Sequence, residues 1–552
     1  MKKISFLFFF CFLVAGVVLA QVKVVEHPRV EDPNTDAVNI LKVELSESST
    51  ILWLDIYSCA GERINVPSRT VLQSRDGQRT YKLLNSEGLE MDKWVIIPEK
   101  GYVSCRLTFE PLRPEEKVID YVEGPGTGTW LLQGIHLFAE KETKGVLQTR
   151  IRGEVRDRPY SPRLILIKAD GDSRVDGIYI PVREGKFEYV LNHDEPEAYD
   201  LIFEDEQCKG GWRPVTFVAE GMAVDMVLYP EDHYDENCIK GGPEATKYQE
   251  FVRQRKLVVS FDELEARREE LDKAGRYWSA EHNQLTKQLS ETKDRKVQDS
   301  LLVFFYALRK QNKEYTSEGA EVQDAYLQQV RKMKRWEMDY FRKNPSLACY
   351  YLLMGSLAQY IQSKDEEIKR FREFMHIDEA EVKELFNEVY RPLFPHHRYT
   401  REMETAFRML ENIKVGGMYI DFTAPDLETG KEVRLSEQIE GKMALIDLWA
   451  SWCGPCRRHA MEMIPVYEKY KEKGFVVVGV AREKNASAGL AAARRDKYPW
   501  VNLLELNDQQ QIWNKYGIGN AGGSQFLVDR DGKILLVSPT VEEVERILEK
   551  EL

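Results

Sequence analysis

Cysteine is scarce: eight in 552 residues, too few to staple so long a chain into a disulfide scaffold. Basic residues form no long run, and 78 Lys plus Arg are outnumbered by 91 Asp plus Glu, for a net charge of −13. A phosphate backbone is gripped by a local cationic stripe, so nucleic acid is not an expected partner. Metal-ligand spacing is also missing. His396 and His397 have no further ligands nearby, and the chain's single CxxC has no second pair, so no metal is expected. Hydrophobic residues nevertheless make up 43% of the chain, which argues against global disorder. At roughly 100–200 residues per domain, the length predicts about three to five domains.

One long apolar run is present, and it lies at the start. Met1-Lys2-Lys3 is followed by Ile4 to Leu19, and Val18-Leu19-Ala20 puts small residues at a cleavage site before Gln21. At about 16 residues the run is shorter than the ~20 that span a bilayer comfortably, so residues 1–20 read as a cleavable signal peptide. Cys11 follows Phe8-Phe9-Phe10, which is not a lipidation box. With no second such span, the expected mature protein is soluble and exported, most simply to a Gram-negative periplasm.

Four regions follow, so the expected fold class is multidomain: two N-terminal all-β domains, a helical array and a C-terminal α/β domain. Residues 21–142 alternate with the period of half-buried strands, as in Leu52, Leu54 and Ile56 or Val103, Cys105, Leu107 and Phe109. A β-sandwich is expected there. Residues 143–243 offer strands at Leu164–Ile167, Ile178–Val182, Phe187–Leu191, Leu201–Phe203, Pro214–Val218 and Val224–Tyr229. Neither β region carries a catalytic cluster, and both read as binding or spacer modules. Residues 244–412 turn helical, with Asn344-Pro345-Ser346 as a stop and new N-cap. They are expected to link or dimerise rather than catalyse. Residues 413–552 alternate strand and helix, and the chemistry concentrates there.

Ala444-Leu445-Ile446-Asp447-Leu448-Trp449-Ala450 is an apolar strand interrupted by one acid. Ser451-Trp452-Cys453-Gly454-Pro455-Cys456 follows, then a helix to Lys473 and a buried strand, Phe475 to Val480. A strand–CxxC–helix–strand unit distinguishes a redox pair from a zinc site. Two intervening residues at a helix start bring the sulfurs within bonding distance. The first cysteine meets the unpaired N–H groups and the macrodipole, which stabilise a thiolate. Cys453 is thus expected to be the exposed nucleophile and Cys456 the more buried resolving thiol. Pro455 sits where its missing N–H costs nothing. Zinc holding and an inert staple compete, but the first needs a second ligand pair and the second does not need this context. Asp447, flanked by Ile446 and Leu448, should have a raised pKa and could exchange a proton with Cys456, through water. Trp452 is expected to line a docking surface.

The stretch Asp447 to Cys456 resembles the thioredoxin active-site signature. The preceding Phe422-Thr423-Ala424-Pro425-Asp426-Leu427, Gly430-Lys431 and Leu435-Ser436 are similar to the hairpin of TlpA/ResA-like envelope thioredoxins. The resemblance covers about 140 residues. It implies a thioredoxin-like domain over 413–552 and a thiol–disulfide oxidoreductase with a redox-active disulfide between Cys453 and Cys456. It also implies a site built from Cys453, Cys456, Asp447, Trp452, Gly454, Pro455 and residue 523. The Gly454-Pro455 dipeptide resembles that of reducing members, which implies disulfide-bearing envelope proteins as substrates and a membrane electron donor. The family pattern breaks at two places. Gly523 stands where the family has a cis-proline before Phe526-Leu527-Val528-Asp529, so the loop is expected to relax to trans or become mobile. Met461 replaces the proline five residues after the second cysteine, so the helix is expected to be less kinked.

The remaining cysteines downstream of Ala20 are Cys59, Cys105, Cys208, Cys238 and Cys349. Cys59 falls on the strand face opposite Leu52, Leu54 and Ile56, and Cys105 shares a face with Val103 and Leu107, which disfavours their pairing. Cys208 and Cys238 both lie in polar, loop-like stretches of one domain and form the plausible structural pair. Cys349 reads as a buried helix residue. Two other functions compete with the oxidoreductase. One is a binding or metal-holding envelope protein with a degenerate site. The other is a thiol peroxidase, which would need a lone reactive cysteine in a peroxide pocket.

Overall fold

The structure, a computed structural model, describes residues 22–124, 128–138, 147–158, 161–171, 177–311, 313–362, 378–519 and 522–552. The expected signal peptide lies outside the described residues.

Nine of the described strands between Lys23 and His136 join in one sheet around a single apolar core, and Arg63–Ile64 and Val95–Ile96 pair separately. Thr50–Tyr57 and Tyr102–Phe109 pair antiparallel, with Leu52 opposite Leu107, Leu54 opposite Cys105 and Ile56 opposite Val103. The alternation puts Leu52, Leu54, Ile56, Cys105, Leu107 and Phe109 in the core. Burial pushes the Cys105 thiol up to about 12, which keeps it an inert core thiol at neutral pH. The second β region is two four-stranded sheets sharing a core. Its strands include the six read from sequence and two more, Leu147–Val155 and Cys238–Lys240.

The two β regions are clamped together. Arg163 donates to the Asp36 carbonyl (2.8 Å) and its guanidinium lies 3.9 Å from the Tyr57 ring centre. Arg183 donates to the Tyr57 hydroxyl (2.6 Å) and pairs with Asp55. A disulfide joins Cys59 to Cys208, with Cα atoms 5.9 Å apart. This corrects the expected Cys208–Cys238 pair. Cys208 ends a short helix, Glu204–Cys208, and lines a cleft of about 970 Å³ together with Cys59. Cys238 is instead held opposite Val227 in the sheet, as an exposed free thiol.

The helical region is no loose tether. A single apolar core runs from Val218 of the second β region through Phe251, Phe341, Tyr350, Tyr399 and Phe407 to Trp513 and Leu448 of the C-terminal domain. Helix α1 (Arg398–Asn412) shows how the two ends connect. At its start His397 caps the helix through Nδ1, and its Nε2 donates to the Pro196 carbonyl (2.8 Å). Arg398 binds Asp170 with both terminal nitrogens at 2.7 and 2.8 Å. Near its end, Met409 packs so closely on Gly517 that a Cβ there would lie 2.8 Å from the Met409 sulfur.

The C-terminal sheet has β1 (Met443–Trp449), β2 (Phe475–Glu483), β3 (Val501–Leu506), β4 (Ser524–Val528) and β5 (Ile534–Val537), in the order β3-β2-β1-β4-β5. β1 runs parallel to β2 and antiparallel to β4. Every residue of β1 is buried, as a central strand covered on both faces requires. Helix α2 (Gly454–Tyr470) and helix α3 (Val541–Glu551) pack one face through Met463, Val466, Val544 and Leu548. α2 runs unbroken past Met461 and carries Pro465 inside it.

Candidate active site

The two cysteines sit where β1 hands over to α2. Cys453 is the N-cap of α2, its backbone extended (φ −82°, ψ 90°), and its sulfur accepts the Cys456 N–H at 3.3 Å. The two sulfurs are joined as a disulfide. The turn before them is tied down by Glu483 at the end of β2, which accepts the Ser451 N–H (2.5 Å) and hydroxyl (2.8 Å). Burial pushes the Glu483 carboxyl above its ordinary range. Arg457, one position after Cys456, forms a two-pronged pair with Asp496 at 2.6 and 2.7 Å.

The expected contrast in burial between the cysteines is not found: Cys453 is 6% exposed and Cys456 5%. In the disulfide form both sulfurs lie under the chain turn, and exposure belongs to Trp452, Gly454 and Pro455 around them. The Trp452 ring lies 6.3 Å from that of Trp513.

Asp447 lies within β1, opposite Gly479 on one side and Gln525 on the other. It is 1% exposed. Burial pushes its carboxyl up to about 6, against the Gln525 side-chain hydrogen bond and the charge of His459, which both pull it down. Gln525 Nε2 donates to Asp447 Oδ1 at 2.9 Å. A carboxyl poised near 6 is ionised at neutral pH yet basic enough to take a thiol proton. His459 lies one turn beyond Cys456 on α2. Its Nε2 donates to the Pro539 carbonyl at 3.0 Å, and its buried Nδ1 has no hydrogen-bond partner among the described residues.

Gly523 lies beside this pair: its N–H is 3.3 Å from Cys456 Sγ. Its neighbours Asn520 and Ala521 are outside the described residues, and all described peptide bonds are trans. The structure thus brings Cys453, Cys456, Gly454, Pro455, Trp452, Asp447 and Gly523 to one corner of the domain. Gln525, Glu483, Ser451 and His459 join them without having been anticipated. Gln525 lies in β4 directly opposite Asp447. Among the described residues no cluster of three or more His, Cys, Asp or Glu could hold a metal. The 970 Å³ cleft is lined only by residues of the two β regions and takes no part in this site.

Comparison with known proteins concerns the same C-terminal domain. Residues 415–537 match the AhpC/TSA family. Over 145 residues, a quarter of this chain, the sequence is 30% identical to the thiol–disulfide oxidoreductase ResA of Bacillus thuringiensis and covers 80% of that protein. It is 28% identical over 116 residues to the thiol:disulfide interchange protein DsbE of Allochromatium vinosum, covering 21% of this chain and 60% of that one. Among solved structures, the thioredoxin domain of a Bacteroides vulgatus thiol–disulfide oxidoreductase is 26% identical, covers 25% of this chain and 99% of its own, and gives a TM-score of 0.24.

Proposed function

Because the chain belongs, through its C-terminal domain, to the thioredoxin-like thiol–disulfide oxidoreductases of the ResA type, we propose that it acts in the cell envelope as a reductant of protein disulfides. Reduction of the Cys453–Cys456 bond by a membrane electron donor arms the site. Cys453, at the N-terminus of α2, then attacks a substrate disulfide as a thiolate. One substrate sulfur leaves and takes up a proton, and a mixed disulfide remains. Cys456 gives its proton to the Asp447 carboxylate and attacks Cys453 Sγ, which releases the second substrate sulfur and restores the Cys453–Cys456 bond. Two electrons pass to the substrate. The placement of a cysteine pair at a helix start over one buried acid supports this sequence most directly.

The reducing direction is supported by the Gly454-Pro455 dipeptide, and the envelope location by the cationic start, apolar run and small residues of positions 1–20. Trp452, Gly454, Pro455 and Gly523 form the surface on which the substrate backbone docks. No cofactor is required, because both electrons are carried on sulfur. A homodimer through the helical region fits the exposed apolar side chains of Val303 and Phe304 on helix Arg295–Lys310.

The proposal is tested by trapping in envelope preparations. Cys456→Ser should accumulate mixed disulfides through Cys453, and Cys453→Ser should accumulate none. Equal trapping by both variants would refute the assignment of roles. A second function, a binding or metal-holding envelope protein, is favoured by one observation: Gly523 stands in place of the proline that shields such thiols. Stoichiometric metal retained on Cys453 and Cys456 after purification would favour it.

A further inference from the structure

The exchange of proline for glycine at 523 does more than remove a ring: it adds a donor. Proline has no N–H, whereas the Gly523 N–H points at Cys456 Sγ from 3.3 Å. The approach is so close that no side chain fits. A Cβ on residue 523 would lie 1.7 Å from the Leu448 carbonyl oxygen and 3.2 Å from Cys456 Sγ. Cys453 Sγ has its own donor, the Cys456 N–H. Each sulfur therefore faces one backbone N–H, and the two donors come from different elements. Two residues on, Gln525 donates to Asp447. The start of β4 thus supplies a donor to the resolving sulfur and another to the acid that would take its proton.

We propose that the Gly523 N–H stabilises the Cys456 thiolate as it attacks the mixed disulfide, a role that rests on the thiol–disulfide function given above. In that step the Cys456 proton passes to the Asp447 carboxylate. The Cys456 sulfur then forms its bond to Cys453 Sγ while the Cys453–substrate bond breaks, and the substrate sulfur leaves with the electron pair. Charge that would otherwise sit on a buried sulfur is met by an N–H already aimed at it, which favours hydrogen bonding to the charged form. A donor that stabilises the thiolate also stabilises the reduced pair. The Cys453–Cys456 couple is therefore more oxidising than it would be with proline at 523.

The test uses the full-length protein. In a Cys453→Ser background, the pH dependence of Cys456 alkylation, read by peptide mass, gives its apparent pKa. Adding Gly523→Pro removes the N–H and should raise that value by about one pH unit, a tenfold loss of thiolate near neutrality. Gly522→Ala, where a Cβ meets only the residue 453 sulfur at 3.9 Å, should leave it in place. A folded Gly523→Pro protein with an unchanged Cys456 pKa would overturn the proposal. If that variant does not fold, the Gly523 amide is followed by NMR in 15N-glycine-labelled Cys453→Ser protein. A downfield proton shift that inflects with the Cys456 titration supports the hydrogen bond, and a pH-independent shift overturns it. The wild-type redox couple separates the two levels: a reversible couple with no Cys456 effect defeats the glycine role alone, and no couple defeats the function beneath it.

Discussion

The molecule holds two disulfides in two unlike settings, and the contrast shows what makes a disulfide chemically active. Cys453 and Cys456 are three residues apart, at a helix N-terminus, with a backbone N–H on each sulfur and a buried acid near neutrality in the strand beneath. Cys59 and Cys208 are 149 residues apart and bolt one β region to the other. Around the second bond Glu204, Asp205 and Glu206 are paired with Arg163 and Arg158, and Cys208 stands at the C-terminal end of its short helix, where the backbone dipole disfavours a thiolate. Both are ordinary covalent bonds. The difference lies in what stabilises the charged sulfur when the bond opens, and only the C-terminal pair has that provision.

The sharpest way to break the contrast is to remove one sulfur from each bond. Cys453→Ser should abolish disulfide reduction, a loss of at least about 10³-fold, since no other described cysteine combines a helix N-terminus with a neighbouring acid. Next in size is Asp447→Asn, which should slow resolution by about 10²-fold at pH 7 in single-turnover measurements. The same variant should gain stability. The Asp447 carboxyl rises from 3.8 to about 6 on folding, so the folded state holds its proton more tightly than the unfolded chain. Its contribution is fully present below pH 3.8 and is lost as pH rises through about 6. Two pH units amount to about 3 kcal/mol. Denaturant melts should therefore show Asp447→Asn ahead of wild type at pH 7.5 and level with it near pH 3.5. An Asp447→Asn advantage over wild type that does not grow as pH rises from about 4 to about 7 would contradict the raised value. Cys59→Ser should cost about 2–4 kcal/mol by chemical denaturation while leaving reductase activity within about twofold. A collapse of activity in that variant would mean that the bolt takes part in the chemistry. Trp452→Ala should be mildest, a few-fold rise in KM with kcat kept, because the ring is 48% exposed beside the cysteines and carries no group that exchanges protons or electrons.

What could be read from the sequence follows the same division. The β1–Cys453–α2 unit is local: its strand, its turn and its helix start lie within some thirty residues, and each leaves its own pattern. Leu52, Leu54 and Ile56 likewise declare a strand by alternation alone. The strand Leu147–Val155 escaped because Thr149 and Gly153 share its inner face with Ile151 and Val155, and neither carries an apolar signal. The Cys59–Cys208 bond escaped because pairing across 149 residues leaves no local trace, and polar surroundings suggested the wrong partner for Cys208. Gln525 reaches Asp447 from 78 residues away and Gly523 reaches Cys456 from 67. Gly523 could be placed only through the family pattern, and the N–H it contributes is invisible in a one-letter code. Amphipathic helices reveal which face is buried but not against what, so the region 244–412 reads as a linker although it packs into a continuous core.

The central claim is that Cys453 and Cys456 form a working two-electron couple. It is tested most directly by equilibrating the full-length protein in dithiothreitol and glutathione buffers and counting trapped thiols at these two positions by mass. The account predicts a reversible couple nearer to about −270 mV than to about −120 mV, with Cys59 and Cys208 still joined when the pair is fully reduced. A couple near −120 mV would reverse the direction of electron flow, and no reversible couple at Cys453 and Cys456 would contradict the account outright.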